Sequence, residues 1–87
     1  MKMSRIKNVR SLFWNVRTGK LDLYDIENKL IGEEHGIVIL RHAQLTDNAP
    51  KIDDIAIQRN PLNELTVTIH FDRNCTIATA SGYAFIR

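Results

Sequence analysis

The sequence has one cysteine, Cys75, among its 87 residues, which excludes an intramolecular disulfide and any cluster of cysteine ligands around a metal. No covalent cross-link therefore reinforces a chain that is small for its surface. Thiols without disulfide partners are typical of reducing compartments, so we predict a cytoplasmic protein. Because a small, unlinked domain often gains buried surface by self-association, we also predict a homo-oligomer.

Long apolar runs are absent as well. The run IVIL at 37–40 falls far short of the roughly 20 residues that a membrane-spanning helix needs. The opening residues are charged and have no apolar stretch behind them, unlike a secretory signal. No linker or repeat interrupts the chain, so we expect a single domain over 1–87 with no membrane association.

Motifs for catalysis and cofactor binding are also missing. There is no phosphate-binding glycine loop, no GxSxG and no HExxH. The three histidines have no metal-site spacing, and adjacent Asp53 and Asp54 on a strand would point to opposite faces. We therefore predict a non-enzymatic protein without metal or cofactor. A small hydrolase or nuclease using His70 or His42 is the lowest-ranked alternative.

Acidic residues are absent from the start of the chain up to Asp22. The first 20 residues carry a formal charge of +6, whereas the remaining six basic and ten acidic residues give −4. The early cations surround aromatic side chains in the stretch SRIKNVRSLFWNVRTGK at 4–20. Such a charge split favours attraction to a polyanion or to an acidic protein surface.

The apolar residues that are present alternate with a period of two, which indicates strands. The segment 11–26 predicts a hairpin with its turn at 17–20, where Gly19 can adopt a positive φ. We expect Val16 opposite Leu21. This register places Trp14 opposite Leu23 on one face and Phe13 opposite Tyr24 on the other. Trp14 is then the core residue, and Phe13 belongs to the other face.

Further strands are predicted at 37–41, 52–58, 64–71 and 76–81, the first covered on both faces. Turns are expected at 60–63 and 72–75, a single turn or loop at 27–36, and a surface loop at 43–50. The fold class is all-β, a small sheet, sandwich or barrel of about six short antiparallel strands. The alternative is α+β with one short helix near 1–9 or 25–34.

Two functions fit these features. The first is binding of RNA or single-stranded nucleic acid, in which cations contact phosphates and rings stack on bases. Its phosphate contacts would be Arg5, Lys7, Arg10, Arg17 and Lys20, and its stacking residues Phe13 and Tyr24. The alternative is a protein-binding inhibitor or adaptor that uses an exposed β edge or an aromatic face. A single patch of cations beside an accessible ring would favour nucleic acid, and dispersed cations would favour a protein partner.

Overall fold

The computed structural model describes residues 3–39 and 50–87, which form seven β-strands and no helix. The all-β prediction is therefore confirmed, and the alternative with a helix near 25–34 or within the described part of 1–9 is wrong. The strands are β1 Ser4–Asn15, β2 Lys20–Tyr24, β3 Leu30–His35, β4 Ile37–Ile39, β5 Ile52–Arg59, β6 Leu65–Ala80 and β7 Tyr83–Ile86.

The strands form one rolled sheet in the order β3-β2-β1-β6-β7-β4, with β5 pairing separately with the first part of β6. The end strands β3 and β4 are separated in the chain only by Gly36. Because a flat sheet of six strands would hold its ends about 24 Å apart, this connection requires the sheet to curl round on itself. Gly36 N donates to Gly19 O, and a Cβ on Gly36 would lie 3.0 Å from Gly82 O.

Inward-facing side chains fill the roll. Leu12, Leu21 and Leu23 are almost fully buried, as the alternation in the hairpin predicts. Trp14 packs against this core, and its Nε1 donates to Gly36 O at 3.1 Å, which confirms its predicted core role. The other members of the core are Val9, Val38, Val67, Ile69, Phe71, Cys75, Ile77 and Ala84.

The β1–β2 hairpin is confirmed, but its register differs by two residues from the predicted one. Trp14 lies opposite Leu21 rather than Leu23, and Phe13 lies opposite Asp22 rather than Tyr24. A shift of two residues keeps every side chain on its predicted face, so the division into core and outer faces holds.

The side chain of Asn15 explains the shift. Its Oδ1 accepts hydrogen bonds from the backbone N–H groups of Arg17 and Thr18, both at 3.1 Å, and so begins the turn at Asn15. Gly19, with φ of 79°, then closes the turn by donating to Asn15 O. β1 therefore ends one residue before Val16.

The turn predicted at 72–75 is wrong, because β6 continues through it. Between the pairs Val9–Cys75 and Ser11–His70, β1 advances by two residues and β6 by five, so β6 bulges. Arg10 spans this bulge: its Nε donates to Phe71 O at 2.9 Å and its Nη2 to Asp72 O at 3.0 Å. The guanidinium thus supplies hydrogen bonds to carbonyl groups at the irregular part of the ladder.

Other segments give a mixed outcome. Strands at 52–58, 65–71 and 76–80 and the turn at 60–63 are confirmed, as is the strand predicted at 37–41 over 37–39; residues 40 and 41 lie outside the described residues. Ile37 is 56% exposed, so this strand is not covered on both faces as predicted. The loop predicted at 27–36 instead contains β3, whose Gly32 leaves room for the side chain of Ile6. The loop predicted at 43–50 lies outside the described residues except for Pro50.

Candidate interaction surfaces

The outer face of the hairpin carries the two predicted stacking residues. Phe13 is 36% exposed, and Tyr24 is half-buried. They are diagonal neighbours across β1 and β2, because Phe13 lies opposite Asp22 and Tyr24 lies two residues further along β2. Diagonal neighbours of this kind are about 7–8 Å apart, so both rings belong to one face that also contains a carboxylate.

Two of the predicted phosphate contacts lie at the turn end of this face and have acidic neighbours. Arg17 Nη1 is 3.4 Å from Glu64 Oε2, and Lys20 Nζ is 4.0 Å from Asp22 Oδ1. Arg17 and Lys20 are both exposed, so these pairs are weak and leave the cations accessible to solvent. Their field is nevertheless reduced by the two carboxylates.

Glu64 joins the β1–β2 turn to the β5–β6 turn. Its carboxylate accepts hydrogen bonds from Asn60 Nδ2 at 3.0 Å, Asn15 Nδ2 at 3.4 Å and Arg17 Nη1 at 3.4 Å. The bond from Asn60, followed by the bonds from Asn15 and Arg17, lowers the pKa of Glu64 below its ordinary value. Glu64 is therefore ionised at neutral pH and remains a partner for Arg17.

The remaining predicted phosphate contacts lie elsewhere. Arg5 and Lys7 are exposed near the opposite end of β1, and their side chains form no ion pair or hydrogen bond within 3–39 and 50–87. Arg5 is ten residues from Asn15, about 33 Å along an extended strand. The structure thus places Arg17 and Lys20 at the turn end of the face with the rings and Arg5 and Lys7 toward the other end of β1. Arg10 lies between the two pairs, next to Ser11, the residue opposite Tyr24, but its guanidinium is bonded to β6 carbonyls.

A different surface is formed by β5. Ile55 lies opposite Ile69, and Ile57 lies opposite Val67, so both isoleucines share the face of β6 that forms the core. They are nevertheless 43% and 65% exposed, and β5 lies off the main strand order of the sheet. Ile52 is also exposed on this strand. Aliphatic side chains that are inward by alternation are here open to solvent.

The backbone of β5 has one edge that pairs with no other strand within 3–39 and 50–87. Asn60 N donates to Glu64 O, which makes residues 60 and 64 a hydrogen-bonded pair of the antiparallel ladder. Hydrogen-bonded and non-hydrogen-bonded pairs alternate, so the N–H and C=O groups of residues 54, 56 and 58 point toward β6. Those of Ile55, Ile57 and Arg59 point away from β6. Among the described strands, β5 pairs only with β6.

Charges of opposite sign lie at the two ends of this edge. Asp53 and Asp54 are exposed near the start of β5, where the ladder has an irregularity between Ile52 and Asp54. Arg59 is exposed at the other end, and its Nη1 donates to Asn63 O at 2.9 Å. The predicted opposite orientation of Asp53 and Asp54 stays a prediction, because this irregularity interrupts the alternation there.

An open cleft of about 410 Å³ lies at the end of the roll where β1, β3 and β6 meet. Glu34 is half-buried in its wall, and its Oε1 accepts from Ser4 Oγ at 2.6 Å while Oε2 accepts from Thr79 Oγ1 at 3.5 Å. His35 and Ser81 also line it. Both oxygens of the carboxylate are thus used to connect three strands.

The side chains to consider for catalysis or metal binding are a thiol and the histidines. Cys75 is buried, and desolvation raises the pKa of its thiol to about 12, so the thiolate is scarce at neutral pH. His70 is exposed on the outer face opposite Ser11, and His42 lies outside the described residues. Within 3–39 and 50–87, no three His, Cys, Asp or Glu side chains gather closely enough to bind a metal.

Comparison of the chain with protein-family models, with curated proteins and with solved structures finds no match. In the described ranges no helix has the length and apolar character needed to cross a bilayer.

The sequence did not identify β5 as the strand with the exposed edge. The alternation of Ile55 and Ile57 was visible and correctly predicted a strand at 52–58, and an exposed β edge was one of the surfaces proposed for a protein partner. Nothing local distinguishes an uncovered isoleucine from a core one. The closest signal is the pair Asp53 and Asp54, since charges are frequent on edge strands.

Proposed function

We propose that this chain is a non-enzymatic cytoplasmic protein-binding module, an adaptor or inhibitor, that binds a strand of its partner along the free edge of β5. The observation that supports this most strongly is the coincidence of two features on one strand. The outward backbone groups of Ile55 and Ile57 are unpaired within the described sheet, and their side chains are exposed beside them. Strand addition uses backbone bonds for affinity and side-chain pockets for specificity.

The magnitudes favour an added strand over an isolated apolar contact. Complete burial of an exposed isoleucine contributes about 1.5–3 kcal/mol, and Ile55 and Ile57 are already partly buried, so the two together contribute roughly 2–3 kcal/mol. Association costs at least about 4 kcal/mol in lost rigid-body freedom. The partner must therefore add further contacts, and a ladder of backbone hydrogen bonds along β5 provides them.

Two lysine substitutions on β5 test this proposal. In Ile57→Lys the new charge lies at a residue whose backbone points to the free edge, whereas in Gln58→Lys it lies at a residue whose backbone is paired with β6. We expect Ile57→Lys to reduce partner binding at least tenfold and Gln58→Lys to leave it within about twofold. The measurement is capture from nuclease-treated native lysate, followed by titration of the purified captured protein. Equal binding by the two variants would refute the proposal.

Nucleic-acid binding is the second candidate, and one observation favours it: Arg17 and Lys20 lie at the same end of the hairpin as the exposed ring of Phe13. A filter-binding titration of single-stranded RNA across salt concentrations tests it. The candidate predicts that Arg17→Ala with Lys20→Ala weakens binding and reduces its salt dependence by about two phosphate contacts.

The matched control is Arg5→Ala with Lys7→Ala, which removes the same charge from the far end of β1. Equal losses in the two double variants would indicate nonspecific attraction to net charge. Absence of binding at low salt would eliminate this candidate and leave the protein-binding proposal.

A further inference from the structure

We propose that the strand that pairs with β5 is β5 of a second copy of this chain, so that the two copies form a symmetric antiparallel dimer with a continuous sheet. The inference rests on the proposed function of the β5 edge and identifies its partner. The supporting observation is the charge distribution of β5, a strand of eight residues with acidic side chains near one end and a basic side chain at the other. Antiparallel pairing of two such strands brings unlike charges together.

The backbone geometry limits the possible registers. Two antiparallel residues pair only when both direct their N–H and C=O groups toward each other or both direct them away. On β5 the odd-numbered residues from Ile55 to Arg59 face the free edge, as the Asn60–Glu64 pair fixes. Odd residues must therefore pair with odd residues of the second copy. In a symmetric pair one residue lies opposite the same residue of the second copy, at the two-fold axis. Three registers near the middle of the strand meet the condition, with residue 55, 56 or 57 at the axis.

The register centred on Ala56 has the best side-chain complementarity. It places Ile55 opposite the partner's Ile57, and it brings the acidic start of β5, at Asp53 and Asp54, beside the partner's Arg59. Ile55 and the partner's Ile57 then form a hydrogen-bonded pair, and symmetry repeats it, so four backbone bonds surround the two-fold axis. All four isoleucine side chains lie on one face, where each gains an apolar cross-strand neighbour.

The two neighbouring registers are less favourable. Centring on Ile55 brings the acidic start of β5 beside the partner's Ile57, and centring on Ile57 places Ile55 opposite the partner's Arg59. Each sets a charged side chain against an apolar one and loses the contact between unlike charges. Arg59 retains guanidinium N–H groups for the partner, since within the described residues only its Nη1 bonds, to Asn63 O.

A cysteine at position 56 tests the symmetry and the register together. In the proposed dimer Ala56 faces the partner's Ala56 across a non-hydrogen-bonded pair, with Cα atoms about 4.5 Å apart, inside the range that a disulfide spans. We expect Ala56→Cys, in a Cys75→Ala background, to form a covalent dimer under mild oxidation. In Gln58→Cys the two cysteines would be about 13 Å apart and should not cross-link.

Ile55→Cys and Ile57→Cys in the same background report the two neighbouring registers. Preferential cross-linking of either would refute the register centred on Ala56, as would equal cross-linking of Ala56→Cys and Gln58→Cys. The proposed result is a cross-linked fraction at position 56 at least fivefold above that at position 58.

Sedimentation equilibrium of the unmodified chain provides the second measurement, which does not depend on an introduced cysteine. We expect a mass of twice 10.0 kDa that decreases to 10.0 kDa on dilution, and a dimer affinity at least tenfold weaker in Ile57→Lys but little changed in Gln58→Lys. A monomer at all concentrations would overturn the self-pairing inference. If the chain were monomeric but Ile57→Lys abolished capture of another protein, the proposed protein-binding function would stand and only the self-pairing inference would fail. If Ile57→Lys left that capture unaffected as well, the proposed function and the self-pairing inference would both fail.

Discussion

β2 and β5 carry the same pattern of apolar residues but have opposite environments. Leu21 and Leu23 on β2 are 0% exposed, whereas Ile55 and Ile57 on β5 are 43% and 65% exposed. Each pair points to the face of the sheet that forms the core. The difference is topological: β2 lies between β3 and β1 in the strand order, whereas β5 lies off this order and pairs with β6. Alternation therefore determines which face a side chain occupies, and the path of the sheet determines whether that face is covered.

The sharpest test of this comparison removes one side chain from each strand. We expect Leu23→Ala to lower the free energy of unfolding by about 2–5 kcal/mol, because truncation leaves a cavity in a packed interior. Ile57→Ala should cost at most about 1 kcal/mol, because its side chain already contacts water and loses mainly strand preference. Urea denaturation of both variants in dilute protein measures the two values.

Similar losses in the two variants would contradict the comparison, because they would mean that Ile57 is covered in the folded protein. Leu21→Ala serves as the control on β2, since Leu21 is as fully buried as Leu23. Repeating the Ile57→Ala measurement at high protein concentration separates coverage within one chain from coverage by a second copy, because only the latter depends on concentration.

The sequence was sufficient to predict the features that depend on neighbouring residues. The hairpin at 11–26, its two faces and the strands at 52–58 and 65–71 follow from period-two alternation and turn residues. The predictions from sequence were wrong where contacts between residues distant in the sequence determine the structure. β3 forms despite Gly32 because β2 provides a pairing edge and Ile6 uses the space above the glycine. β6 continues as a strand through its bulge because Arg10, 61 residues from Phe71 in the sequence, donates hydrogen bonds to the carbonyl groups of Phe71 and Asp72.

The predicted basic cluster shows the same limit in the candidate site. Five cations within 16 residues are close in the sequence, but β1 extends over most of that segment and distributes them along its length. The chain also employs two of them locally: Arg10 at the bulge and Arg17 beside Glu64. Charge counted along an extended strand is therefore a poor measure of charge density on a surface.

A second comparison concerns the reactivity of two thiols, one inside the roll and one beside β5. Cys75 Sγ donates to Val9 O at 3.4 Å, and burial raises the pKa of this thiol to about 12. At pH 8 the thiol is protonated and shielded, so we expect alkylation of the folded protein to be at least a hundredfold slower than that of the urea-unfolded chain. A Leu62→Cys variant in a Cys75→Ala background should react equally fast folded and unfolded, since Leu62 is 79% exposed in the turn after β5. Mass spectrometry over time measures both alkylation rates. Rapid alkylation of Cys75 in the folded protein would mean that the roll opens far more readily than its packing implies. The interior of the roll and the exposed face of β5 would then differ only in degree of exposure.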